Sequence, residues 1–454
     1  MKTSLTCFLL VFILVSCIKN QDFEPYDLII TNVNLIDGTG AHLVEGANVY
    51  INDRIITKID SGVIIGEGDE IDGTGKYLIP GLFDCHVHTT DFNRDFPKLM
   101  HYGVTSVFIP GGSTCTNEYY AEMRARGNQD SISAPRVFHT SQHFTIEGRH
   151  PVRTYVSSNW REGETVFFLK DTAQISKLVK QVSEYPILGI KITIEDGPAP
   201  PFVERIPQEF IDKTVTEAKK YDLEVFAHAS DNEEFLMAVK SGAQNIIHYV
   251  GIDIDWGDDE HAGAVQKLLE RDASIVSTLM IDKSFLYPLN PHWMEVTALN
   301  EVYPSDTLKK LLTSDAIAFA KRMENLTKME YGLDSVSLDA VFLPKVEDIQ
   351  RLLDKGMNMT LGTDTGNDFN FYGYSLHEEM QLMQMGGIDP IDILRMGTLN
   401  AAKMMHAEDS LGSIEVGKLA DMVLLDENPL ANIKNTLEIN TVFKSGRIQE
   451  RINK

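Results

Sequence analysis

Pro80-Gly81-Leu82-Phe83-Asp84-Cys85-His86-Val87-His88 closes an apolar run that begins at Tyr77. A β-strand puts alternate side chains on one face. If this run is a strand, His86 and His88 point the same way, and two imidazoles so placed can bind one divalent metal. A lone His-x-His is weak evidence, because a pair on a solvated strand reads the same. The rest of the chain has to decide.

Downstream, short apolar runs alternate with helical spacing from Leu78 to His406. Residues 103–109, 188–194, 223–228, 245–249, 273–279 and 359–364 read as strands, and Val137-Phe138-His139-Thr140 as another. Residues 171–184, 207–221, 232–241, 261–272 and 346–355 read as helices. In the first of these helices Ile175, Leu178, Val179 and Val182 share a face. Nearly continuous apolar strands separated by helices predict an α/β fold with parallel strands buried on both faces. About eight such units predict a (β/α)8 barrel over 78–406. The alternative, an open doubly wound sheet, lacks a Gly-x-Gly-x-x-Gly between strand and helix. Residues 282–344 break the rhythm as an insertion before the eighth strand. It reads either as a lid over the barrel mouth or as an element for packing or for a homo-oligomer. The two ends, 26–77 and 407–454, are short strands and turns, with a hairpin around Asn52-Asp53. They predict one small β-sandwich-like domain built from both termini.

Lys191, His228, His248 and Asp364 stand at or near the C-terminal ends of predicted strands, where a barrel collects its catalytic groups. Neutral imidazoles and a carboxylate suit zinc and similar ions. Lys191 is otherwise awkward, since an isolated buried ammonium is costly. Beside a cation it favours losing its proton, and a neutral amine can add carbon dioxide to give a carbamate able to bridge two metals. Taken singly, each residue also fits a satisfied polar or snorkelling side chain. Their joint order on strand ends points to a metal.

These motifs carry a resemblance to the amidohydrolase superfamily. It runs from the opening stretch through Ile190-Lys191-Ile192, Ala227-His228-Ala229, Ile247-His248-Tyr249 and Leu361-Gly362-Thr363-Asp364. It closes with 398–403 and with 411–421 (Leu411-Gly412-Ser413-Ile414-Glu415-Val416-Gly417-Lys418-Leu419-Ala420-Asp421). Within the superfamily the chain is most similar to the imidazolonepropionase-like and metal-dependent Xaa-Pro dipeptidase (prolidase) branch. Thr145-Ile146-Glu147-Gly148-Arg149-His150 resembles that branch's Thr-x-x-Gly-Gly-His loop, with Arg149 in place of the second glycine.

The resemblance implies a distorted barrel with two divalent ions, zinc first. His86, His88 and Asp364 would hold the more buried ion and His228 and His248 the more exposed one. Carboxylated Lys191 would bridge both, together with a hydroxide. Imidazolonepropionases are mononuclear and lack that lysine, so Lys191 favours the dipeptidase-like reading. Asp364 would take the proton of the attacking hydroxide and pass it to the leaving nitrogen. His150, Tyr249 and His143 are candidate substrate contacts. The implied activity is hydrolysis of a C–N amide bond in a small substrate, with Xaa-Pro dipeptides first. The alternatives are a cyclic-amide hydrolase, a deacetylase or deaminase, and a catalytically silent surface binding lipoprotein.

The net charge of −25 repels nucleic acid and anionic membrane surfaces. After Lys2 comes an apolar run, 5–15, of signal-peptide length and too short for an ordinary membrane span. Leu14-Val15-Ser16-Cys17 resembles a bacterial lipobox. It implies a signal peptide over 1–16, lipidation of Cys17, a tether to residue 25 and a lipid-anchored, extracytoplasmic protein of the cell envelope. Only Cys85 and Cys115 remain in the folded part, too few for a disulfide framework. His377-Glu378-Glu379, opening a helix, reads as a solvated face with glutamates favoured by the helix dipole. His42, His101, His139, His261, His292 and His406 are expected outside the site.

Overall fold

The computed structural model describes residues 25–64, 66–155, 158–249 and 251–452. The predicted signal peptide, Cys17 and all of the tether but residue 25 lie outside them. No helix among the described residues is long and apolar enough to cross a membrane.

The opening run is two strands rather than one. Tyr77–Pro80 and Leu82–Asp84 belong to different sheets, and the chain changes sheet at Gly81. The Gly81 amide donates to the Asp421 carbonyl at 2.9 Å. A Cβ at this position would lie 2.1 Å from Thr105 Oγ1, so only glycine fits the crossing.

Tyr77–Pro80 enters an eight-stranded sheet made from both chain ends. Its order is Arg447–Ile448, Ile439–Lys444, Met422–Leu425, Tyr77–Pro80, Pro25–Leu35, Val44–Asn52 and Ile55–Ser61, with Glu67–Asp72 also on Pro25–Leu35. Asp53 and Arg54, at φ of 45° and 73°, form the tight turn of the 44–61 hairpin. Ile30, Val49, Leu78, Met422, Leu424 and Phe443 fill the core of this sheet.

Leu82–Asp84, Val104–Ile109 and Arg136–His139 form a parallel sheet. Gly189–Thr193, Glu224–His228, Asn245–Ile247, Ser274–Val276 and Asn358–Thr360 form a second one. Backbone hydrogen bonds join the two at both ends. The amide of Leu188 donates to the His139 carbonyl and that of Ser141 to Gly189, while Cys85 donates to Leu361 and Asp364 to His86, each at 2.9 Å. Eight parallel strands thus make a distorted barrel. Two short strands that sequence patterning missed, His143–Thr145 and Val166–Phe168, extend the second sheet beyond Gly189–Thr193.

Phe83, Phe108, Phe226, Ile247 and Val276 fill the barrel interior below the strand ends. Fully burying each such side chain is worth about 1.5–3 kcal/mol. The opposite faces of the strands meet the surrounding helices. In Thr172–Val182, buried Ile175, Leu178, Val179 and Val182 form the inner face the spacing predicts.

The insertion is a set of helices. Ser314–Tyr331 is the longest, capped by Thr313 and ended by Gly332 at φ 64°. The helix preceding the last strand starts at Leu338, so Pro344, expected at the insertion's end, lies inside it. The expectation for His377-Glu378-Glu379 is overturned. All three are buried within Tyr374–Met385. His377 meets Thr436 Oγ1 at 2.8 Å and the Tyr102 carbonyl at 2.9 Å. Glu378 takes Lys283 and Tyr287, and Glu379 accepts from the amides of Leu279 and Met280. Their partners come from distant segments, which local patterning cannot see. Cys85 and Cys115 are buried free thiols.

Candidate metal centre

The strands deliver their polar ends to one place. His86 Nε2 lies 3.1 Å from His88 Nε2, and Asp364 Oδ1 lies 3.3 and 3.0 Å from these two nitrogens. His88 Nδ1 donates to the Gly111 carbonyl at 2.8 Å, which turns the lone pair of Nε2 toward Asp364. The ring of His248 sits between the two halves of the mouth, its centroid 4.5 Å from that of His86 and 4.3 Å from that of His228. His248 Nδ1 is held by Thr278 Oγ1 at 2.9 Å. His248 and Asp364 leave their strands at φ of 80° and 60°. A left-handed residue other than glycine costs about 1–2 kcal/mol, and such strain clusters at functional sites.

The two carboxylates on this side have separate tasks. Asp84, fully buried, accepts from the amides of His86 and Thr363 at 3.2 and 3.1 Å and from the Thr363 hydroxyl at 2.6 Å. It ties the first strand end to the last and fixes the two ligand-bearing segments against each other. Asp364 presents its carboxylate to the histidines.

Electrostatics suit the residue types. Burial, reinforced by neighbouring histidines and Lys191, holds His86, His228 and His248 well below the ordinary imidazole value. They are neutral, the form that offers a lone pair to a metal. Lys191 is fully buried. Burial pulls its ammonium from 10.5 to about 7, against Asp364 and Glu195, which favour the charge. Among the described residues its Nζ has no hydrogen-bond partner. A neutral amine and a set of neutral imidazoles and carboxylates fit divalent metal ions. Two groups carry donor atoms within 4.8 Å of one another: His86, His248 and Asp364, and His150, Glu195 and His228.

His150 and His143 both reach the mouth. The His150 ring is 5.2 Å from that of His228, and His143 meets Thr193 Oγ1 at 2.8 Å beside Gly111. Tyr249 does not. It is not among the residues lining the cavity above the mouth, its hydroxyl is buried with no partner among the described residues, and the nearby charges acting on it are Asp348, Asp253 and Arg351. Tyr249 is a packing residue, which corrects its place among the substrate contacts. Glu195 was missed. Its signal is parity: Lys191, Thr193 and Glu195 alternate onto one face.

A cavity of ≈ 670 Å³ opens above His228, His248 and Asp364. The insertion builds one wall, with Phe285, Met323, Leu326 and Met329 among its residues, and Phe202 faces it from the loop after Glu195.

A model of the amidohydrolase family matches residues 77–449. Ochratoxinase of Aspergillus niger is 23% identical over 91% of this chain and 85% of its own length. The 5'-deoxyadenosine deaminase of Methanothermobacter thermautotrophicus is 21% identical over 93% of this chain and 92% of its own. A solved Xaa-Pro dipeptidase with bound methionine has the same fold, at a TM-score of 0.68 and 22% identity over 93% of this chain and 99% of that one.

Proposed function

Because the chain belongs to the amidohydrolase family, and is thereby a metal-dependent hydrolase, we propose that it cleaves the C–N amide bond of a small substrate, with Xaa-Pro dipeptides as the first class. His86, His88 and Asp364 would hold one divalent ion, His228 and His248 a second, and carboxylated Lys191 both, zinc being the expected metal. When bound, two such ions supply Lewis acidity and a water of lowered pKa.

The side chains account for the rest of the chemistry. Asp364 Oδ1 lies at the centre of the first group, 3.0 and 3.3 Å from two imidazole nitrogens. There it accepts a proton from the attacking water and returns it to the leaving nitrogen. Asp84 and Thr278 hold the ligands in place. The cavity is of a size for a dipeptide.

The observation that carries this reading is Lys191, a fully buried amine with no hydrogen-bond partner among the described residues, set among histidines and Asp364. A panel of dipeptides and cyclic amides, assayed with zinc or manganese, tests it. Hydrolysis of Xaa-Pro dipeptides that is lost in Asp364→Asn supports it. Turnover confined to cyclic amides or amino-purines would replace the substrate class. No metal-dependent turnover of any member would favour the silent binding protein.

We also propose a lipid anchor at Cys17, on the lipobox alone. Cys17→Ser should move the chain from the membrane fraction to the soluble fraction, and an unchanged distribution would remove the anchor.

A further inference from the structure

Glu195 is the mouth carboxylate that the metal-ligand motifs do not account for. It is 6% exposed. Among the described residues it forms no ion pair with lysine or arginine; its partners are His228 Nε2, in hydrogen-bond contact, and His150 Nε2 at 3.9 Å. A buried carboxylate with no cation in contact is costly. His150 turns an acceptor toward it, and the Nε2–H of His228 donates to it, a bond that a shared cation would replace. The Thr154 hydroxyl donates to the Pro151 carbonyl at 3.1 Å. Thr154 Oγ1 is then free to accept from His150 Nδ1–H at 2.6 Å, leaving the lone pair of His150 Nε2 facing Glu195. A carboxylate and two imidazoles, with donor atoms mutually within 4.8 Å, form a set of three ligands suited to one divalent cation.

Charge points the same way. In the ligand set proposed above, the second ion has two neutral imidazoles, and its only protein anion is a carbamate that exists only while Lys191 holds carbon dioxide. Glu195 gives this half of the mouth a carboxylate that does not depend on carbon dioxide, four residues beyond Lys191 and on the same face.

We propose that Glu195 is an anionic ligand of the second metal ion, acting with His150 and His228, so that this ion is retained when Lys191 is not carboxylated. The inference rests on the two-metal reading. It is tested by calorimetric titration of metal-free protein with Zn2+, together with metal content after desalting. Wild type should bind two ions per chain. Glu195→Gln should keep the first and bind the second more weakly by at least the roughly 10–100-fold that loss of an outer-shell partner costs. Glu195→Asp, which keeps the charge, should fall between them. Lys191→Ala should still bind two. The unfolding midpoint of each metal-free variant checks that it folds, and substitution with Co2+ gives an absorption band from the second site that Glu195→Gln should lose. Two ions bound by Glu195→Gln with wild-type affinity would overturn the assignment and leave the two-metal reading standing. A single ion in wild type would overturn both.

Discussion

Lys191 and Lys444 are both fully buried, in opposite surroundings. Lys444 ends the strand Ile439–Lys444 of the terminal sheet. Its Nζ donates to the carbonyls of Gly127, Gln129, Ile132 and Ala134 at 2.6–3.0 Å. Beside it Arg136 grips Asp421 at 2.7 and 3.1 Å and donates to Ser445. Every proton of that ammonium has an acceptor, and together these contacts pin the loop after Asn117–Gly127 to the sheet made by the chain ends. Lys191, at the barrel mouth, meets no acceptor among the described residues. A buried charge with its partners in place stabilises a fold, whereas a buried amine without them is being kept for a reaction or a ligand.

Substitution at the two lysines should therefore have opposite consequences. Lys191→Met should lower kcat/KM by about 10³-fold or more, with partial rescue by short carboxylic acids. In metal-free protein the same change should raise stability by about 1–3 kcal/mol. The gain depends on pH with a definite sign. The folded pKa of about 7 lies below the ordinary 10.5, so the burial penalty is fully present below pH 7 and fades as pH rises toward 10.5. Denaturant unfolding at pH 6.5 and pH 10 checks this, and a gain that grows with pH would break the comparison.

Lys444→Met should do the reverse. It orphans four carbonyls, and the expected loss is about 3 kcal/mol of unfolding free energy, with kcat/KM of the folded fraction within about 3-fold of wild type. A large loss of turnover at full stability would show the seam and the mouth to be coupled.

A smaller effect is expected at Asp84, which supports ligands without touching a substrate. Asp84→Asn should weaken metal affinity by roughly 10–100-fold, read by competition with a chelator. Affinity equal to wild type would leave Asp84 a mere spacer.

The smallest effect concerns a histidine of neither region. His139 is fully buried, donates from Nδ1 to the Thr140 carbonyl at 2.9 Å and leaves Nε2 bare. Burial pulls it from 6.5 to about 4. Its contribution is intact above pH 6.5 and is lost as pH falls toward 4, at no more than about 1.4 kcal/mol per pH unit. His139→Gln should flatten the slope of unfolding free energy against pH over that range. An unchanged slope would mean that His139 is already charged.

The mouth was legible in sequence as far as strand ends were. His86, His88, His228, His248 and Asp364 stand at the close of apolar runs and Lys191 within one, and the structure gathers them at one opening. Glu195 carried the same parity as Lys191 but lies just past the strand, where alternation is not usually read. Tyr249 was named only because it follows His248, but the chain leaves the strand there at φ of 80° and buries its hydroxyl near Asp348 and Asp253. The change of sheet at Gly81 is invisible in a continuous apolar run, because it is set by the approach of Thr105. The burial of His377, Glu378 and Glu379 depends on Thr436, Lys283 and the amides at 279 and 280, contacts that exist only after the chain has closed. Lys444 gave no signal at all, since its four acceptors are backbone carbonyls.

The most direct measurement is hydrolysis of an Xaa-Pro dipeptide by metal-stripped protein during stepwise return of Zn2+, with bound metal quantified at each step, in wild type and in Asp364→Asn. The expected result is no turnover without metal, recovery as ions bind in wild type, and bound metal without recovered turnover in Asp364→Asn. Turnover by the stripped protein, or equal recovery in Asp364→Asn, would contradict the account of the mouth as a metal-dependent hydrolytic centre.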